Sequence, residues 1–155
     1  MTTRVKLQDI VDELSSQSGE LTSFLNRETG EIILITGEAF SAAERNKPLE
    51  EYPEWEHEMI QTAKDMEENP EKYIAVPSQF DIHEYDIMRR FCLSIEDNDI
   101  SSYLMRSIKG SGAFRRFKEA IIRCGVREKW FVYRDEAFRE IARDWCEYHS
   151  IEYEE

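Results

Sequence analysis

Apolar residues along this chain recur at helical spacing in some stretches and gather in short β-compatible runs in others. Leu7, Ile10, Val11 and Leu14 share a helical face, so a short first helix is predicted, ended by the serine- and glycine-containing stretch from Ser15 to Gly19. Two β-compatible runs follow, Leu21 to Arg27 and Glu31 to Thr36, around Glu28-Thr29-Gly30. A glycine closing a short loop supplies the positive φ such hairpins require, so a β-hairpin is predicted here. Gly37 to Pro53 is polar and reads as a connector holding about one helical turn. Beyond it, Trp55, Met59, Ala63 and Met66 form a helical stripe that Asn69-Pro70 stops. The run Tyr73 to Val76, closed by Pro77, suits a third strand at a sheet edge.

From about residue 80 onward the pattern is wholly helical. Asp81 with Glu84 resembles a capping box, and Ile87, Met88, Phe91, Cys92 and Ile95 line one face after it. Ile100, Tyr103, Leu104 and Ile108 make a further helix ending at Gly110. Phe114, Phe117, Ile121 and Cys124 make another ending at Gly125, and a long helix runs from near Arg127 past Trp145. Phe114, Phe117, Ile121, Trp130, Phe138, Ile141 and Trp145 are expected to share a core. Early strands followed by helices define an α+β fold: a small antiparallel sheet built on the hairpin at about 20–36, then a mainly helical half at about 80–150. The 155 residues carry no repeat and no low-complexity linker, so one domain is expected over 1–155.

Composition narrows the class. At 41% hydrophobic and 12% aromatic residues the chain has the means to bury a core. No apolar run approaches the roughly 18–20 residues of a membrane span, and early charges such as Arg4, Lys6 and Asp9 leave no signal core. Cys92, Cys124 and Cys146 are widely spaced in apolar helical contexts and form no Cys-x-x-Cys pair. They read as free thiols in a reducing, cytoplasmic setting.

Charge changes the picture more. The net charge is −13, which disfavours a protein that coats nucleic acid with its whole surface. The distribution is uneven: residues 1–102 sum to −14, residues 103–143 to +6 and residues 144–155 to −5. Between Arg106 and Lys118 there are five bases and no acid. Gly110, Ser111 and Gly112 precede a helix within that stretch, and helix N-termini present unpaired N–H groups to anions. Lys109, Gly110, Ser111, Gly112, Arg115 and Arg116 are therefore the candidate anion-binding residues, with the two arginines able to clamp a phosphate or carboxylate. The competing structural reading makes Gly110 and Ser111 ordinary caps, pairs both arginines with Glu119, or docks the acidic segment 50–71 onto the patch.

Catalytic and metal signatures are thin. His57, His83 and His149 lie far apart, nucleophile motifs such as Gly-x-Ser-x-Gly are absent, and neither a metal nor a cofactor is implied. Trp130 and Trp145 belong with the apolar stripe.

Several segments together resemble an uncharacterised bacterial protein family, UPF0158. They are the hairpin Phe24-Leu-Asn-Arg-Glu-Thr-Gly-Glu-Ile32, Tyr73-Ile-Ala-Val-Pro77, Gly112-Ala-Phe-Arg-Arg-Phe-Lys118, and Trp130-Phe-Val-Tyr-Arg-Asp-Glu-Ala137 continuing to Trp145. Lys118-Glu119 departs from the Lys-Asp the family favours. The resemblance implies a small soluble bacterial protein and brings no activity, substrate or cofactor with it. Function is then expected to be binding or regulation through the local basic patch, toward an anionic ligand or an acidic protein partner, with homo-oligomerisation as a further option. Nucleic acid is the disfavoured partner and a membrane is not expected. The alternative is an enzyme acting on a phosphorylated or otherwise anionic small molecule.

Overall fold

The computed structural model describes residues 4–16 and 21–155. Helix accounts for 66% of the structure, beside a small antiparallel sheet near the N-terminus, so the α+β expectation holds. The chain divides into two compact units: residues 1–78 together with 142–155, and residues 79–141.

In the first unit, β1 (Val5–Lys6) leads into α1 (Leu7–Ser16), which buries Leu7, Ile10, Val11 and Leu14 as its spacing requires. The predicted stop runs on into residues 17–20, outside the described residues. β2 (Leu21–Asn26) and β3 (Ile32–Thr36) form the predicted hairpin, with Leu25 opposite Ile32 and Leu21 opposite Thr36. Gly30 takes φ +77°, and the Asn26 Oδ1 accepts from the Glu28 and Thr29 N–H groups at 2.9 and 3.3 Å, which tightens the loop.

The expected connector after Thr36 is instead a helix, α2 (Gly37–Arg45). The Thr36 hydroxyl accepts from the Ala39 N–H at 3.1 Å, and Asn46 closes the far end in a left-handed conformation at φ 51°. Its buried face is Ala39, Ala42 and Ala43, small residues that mark no apolar stripe yet permit close packing against α3 (His57–Glu68). The α3 stripe holds at Ala63 and Met66, buried together with Ile60, and at Met59, which packs on the same cluster, whereas Trp55 lies in a preceding 3-10 turn and is 79% exposed. These faces meet Ile35, Ile33 and Phe24 of the sheet, and Phe24 packs edge-on to Phe40 with centroids 5.7 Å apart. β4 (Tyr73–Ala75) joins antiparallel to β2, giving the order β3-β2-β4 with Pro77 just beyond an edge strand.

The second unit is helical: α4 (Gln79–Ile82), α5 (Glu84–Ser94), α6 (Asn98–Ser107), α7 (Ala113–Arg123) and the start of α8 (Arg127–Tyr148). Asp81, expected to begin α5, lies inside α4, and the left-handed His83 (φ 54°) is the residue that precedes α5, without a side-chain cap of its own. α6 has the true cap, the Asp97 carboxylate accepting from the Asp99 and Ile100 N–H groups at 2.9 and 3.1 Å. α7 ends in a Schellman turn, with Val126 N–H bonded to the Ile121 carbonyl, Gly125 N–H to Ile122, and Gly125 at φ +70°.

The core of this unit is an aromatic cluster. Phe117 meets Trp130 edge-on at 4.8 Å, and Phe91 meets Trp130 at 5.3 Å and Tyr133 at 5.4 Å. Phe117, Ile121, Trp130 and Phe138 are buried as expected. Phe114 is not: Ala113, Phe117, Ala120 and Ile121 set the inward face of α7, which turns Phe114 out to 51% exposure.

From Ala142 onward α8 belongs to the first unit. There the Trp145 indole donates to the Ala75 carbonyl at 3.1 Å, so Trp145 serves the sheet and not the aromatic core. Beyond the helix, β5 (Tyr153–Glu154) lies parallel to β1, with Val5 opposite Tyr153. Among the described residues no helix is long and apolar enough to cross a membrane.

Candidate anion-binding groove

The acid-free stretch forms the end of α6, a loop and the first turn of α7, and its shape follows from two glycines. Gly110 and Gly112 both adopt φ +78°, a left-handed conformation unfavourable to residues with a Cβ. The loop they curl presents carbonyl oxygens to one guanidinium. Arg116 Nε donates to the Ser107 carbonyl at 3.0 Å, Nη1 to the Ser111 carbonyl at 2.6 Å, and Nη2 to the Lys109 carbonyl. A Cβ on Gly112 would sit 3.1 Å from Arg116 Nη1, so this glycine also makes room for the wrap. Tyr85 holds the same turn from α5, its hydroxyl donating to the Ile108 carbonyl at 2.9 Å.

Of the six candidate residues, Lys109, Gly110, Ser111 and Arg115 are exposed around this turn, and Gly112 stands as the N-cap of α7 without a side-chain bond. Ser111 contributes its carbonyl to Arg116. Arg115 reaches Glu119 at 3.8 Å on the solvent face, a pair worth little in water. Arg116 has spent three N–H groups on carbonyls, and each η nitrogen keeps a second hydrogen.

Beside the turn, a groove of about 270 Å³ opens between α6 and α7, lined by Tyr103, Arg106, Ser107, Arg116, Glu119, Ala120 and Arg123. Three guanidiniums face one carboxylate in it. Arg123 Nη1 donates to the Tyr103 hydroxyl at 3.1 Å, and Arg106 is exposed with no partner among the described residues. Fork-shaped donors around a pocket of this size match a phosphate or carboxylate. Tyr103, Arg106 and Arg123 were outside the six candidate residues, of which Arg116 alone lines the groove, although Arg106 opens the acid-free stretch that suggested those six. The signal for Tyr103 and Arg123 was spacing: Arg116, Glu119 and Arg123 recur at helical intervals, as do Tyr103 and Arg106.

Elsewhere the titratable clusters serve the scaffold. Asp65 accepts from the Tyr73 hydroxyl, from Lys72 Nζ at 3.1 Å and from the Asn69 amide at 2.9 Å, and these donors hold its carboxyl below the ordinary value. Burial, followed by its bond to Asp65, raises Tyr73, and Lys72 is raised by its own separate bond to Asp65. His57 Nε2 donates to the Tyr52 carbonyl at 2.9 Å. Burial and the nearby Arg27 lower His149. Cys92 and Cys146 are buried, and burial pushes both thiols up to about 11, the opposite of an activated nucleophile.

Comparison with known proteins agrees with the resemblance read from the segments. The family model described as "Uncharacterised protein family (UPF0158)" matches residues 2–154, and the chain belongs to that family. Neither a curated protein nor a solved structure gives a significant match.

Proposed function

We propose that this protein is a binding or regulatory module that recognises a small anionic group, a phosphate or carboxylate, in the groove between α6 and α7. The observation that carries the reading is the convergence of Arg106, Arg116 and Arg123 on one small cavity beside the Tyr103 hydroxyl. Arg116, tied to three carbonyls, is rigid and offers its remaining hydrogens without further ordering cost, while Arg106 and Arg123 close on the anion from the two helices. Lys109 and Arg115 raise the local potential from the rim. Gly110, Ser111 and Gly112 build the turn that fixes Arg116. The setting we infer is cytoplasmic, consistent with three unpaired cysteines of which two are buried.

The test is thermal melting of the full chain at low salt with inorganic phosphate, pyrophosphate, nucleotides and dicarboxylates, compared with Arg106→Glu/Arg123→Glu. A ligand at a hundred times its Kd adds about 2.7 kcal/mol of stability, a readily measured rise in Tm. The double variant is expected to lose that rise while its unliganded melting stays within about 0.5 kcal/mol of the parent, because both side chains are exposed. An undiminished rise in the variant, or no rise with any probe, removes the groove as the site. Turnover of a probe in the same screen would move the reading to an enzyme acting on anionic small molecules.

A further inference from the structure

The two edges of the β3-β2-β4 sheet are treated differently. On β4 the outward Ala75 carbonyl is taken by the Trp145 indole, and Pro77 follows. β3 pairs with β2 on one side and with no strand on the other among the described residues. The register, with Asn26 N–H bonded to the Glu31 carbonyl at 2.9 Å, fixes which way each β3 residue points. Ile33 and Ile35 bond to β2, so Ile32 and Leu34 direct their N–H and C=O groups to the open side. At the far end of this edge the Thr36 N–H is satisfied locally, by Met59 Sδ at 3.3 Å. What remains is a short, apolar strand edge with Leu34 39% exposed.

Alongside that edge lies a groove of about 440 Å³. Asp9, Asp12 and Glu13 of α1 line it with Glu31, Ile32 and Leu34, four carboxylates and no base. The Ser23 hydroxyl donates to Glu13, which anchors the acidic face of α1 over the side of the sheet that carries Leu34.

We propose that β3 is a docking edge for an extended, basic segment of another protein, which adds to the sheet as a further strand. The backbone of the incoming segment takes the N–H and C=O groups of Leu34 and Ile32. Its alternate side chains project to one face, so lysines or arginines two residues apart meet Asp9, Asp12 and Glu13. A second copy of this chain is the wrong occupant, because self-pairing would set Glu31 and the acids of α1 near their own kind. The acids thus guard the open edge against self-association and select a basic partner with the same charges. This surface is independent of the arginine groove.

The probe is a fluorescein-labelled peptide of alternating lysine and valine, titrated with the full chain and followed by anisotropy. The control peptide carries glutamate in place of lysine. Leu34→Pro deletes an outward N–H without touching a bond to β2, and Asp9→Lys/Asp12→Lys brings the four facing charges to a net of zero. The lysine peptide is expected to bind, the glutamate peptide not to, and each variant to bind the lysine peptide about tenfold more weakly. Two-dimensional NMR is expected to place the largest shifts on Ile32, Leu34 and the acids of α1. Binding that survives Leu34→Pro but falls with charge neutralisation would be adsorption to an acidic surface and would overturn the proposal. So would no binding of the lysine peptide at low salt, or a concentration-dependent dimer that Leu34→Pro abolishes.

Discussion

The two units of this chain are made by opposite means. The first draws on residues from both ends of the sequence, holds the strands, and carries eight bases against twenty-two acids. The second is one unbroken stretch of helices with twelve bases against eleven acids. The net charge of −13 is therefore a property of the first unit, since the second stands at +1. The charge that disfavours a nucleic-acid coat lies on the sheet-bearing unit and not on the helical one, where three guanidiniums meet a single carboxylate. At a screening length of about 10 Å in 0.1 M salt, a ligand responds to such local groupings. Cohesion divides likewise. The helical unit rests on a few interlocked rings, and the sheet unit on many small contacts, alanines among them.

That contrast can be broken at several points. The largest effect is expected from Phe117→Ala. Its ring is 2% exposed and wedged edge-on against Trp130, so truncation should cost about 3–5 kcal/mol and shift the urea midpoint strongly. An unchanged midpoint would mean that the helical unit is not held by its aromatic cluster. In the sheet unit, Thr36→Ala removes the cap of α2 and should cost about 1 kcal/mol, with Thr36→Ser restoring most of it. Equal loss in both variants would point to the threonine methyl group instead of the hydroxyl. The smallest effect concerns acid. Asp65 is held below its ordinary value of 3.8, so its stabilising contribution is complete above that pH and fades as the pH falls through the lower folded value. Asp65→Asn should therefore flatten the acid end of the stability profile, measured by urea midpoints below about pH 5. A parent profile already flat there would show that the cluster around Asp65 contributes no pH-dependent stability.

The hairpin was legible because its loop demanded a glycine at Gly30 and β-compatible runs flank that loop on both sides. The helices from α5 onward were legible because large apolar residues recur on single faces. α2 was hidden because its inward face is alanine, which contributes little to a hydrophobic pattern. Trp55 misled because a large aromatic dominates a short stripe whether or not it is buried. β1 and β5 span two residues each, and only long-range pairing makes them strands. At the candidate site, the density of bases between Arg106 and Lys118 marked the turn that the proposed groove adjoins. The binding of Arg116 to three carbonyls was not legible, since it depends on the backbone curl at Gly110 and Gly112. Nor was the arrival of Arg123 from two turns along α7.

The pairing of β1 with β5 has a consequence for the protein while it is being made. Val5 and Lys6 are made before their partners Tyr153 and Glu154, which are synthesised almost 150 residues later. At about 5–20 residues per second, the first strand waits on the order of ten seconds for its mate. The helical unit, residues 79–141, is synthesised within that interval. Throughout it, the backbone groups of Val5 and Lys6 stay open to any passing strand, which makes a nascent chain stalled before residue 153 the form most in need of a chaperone.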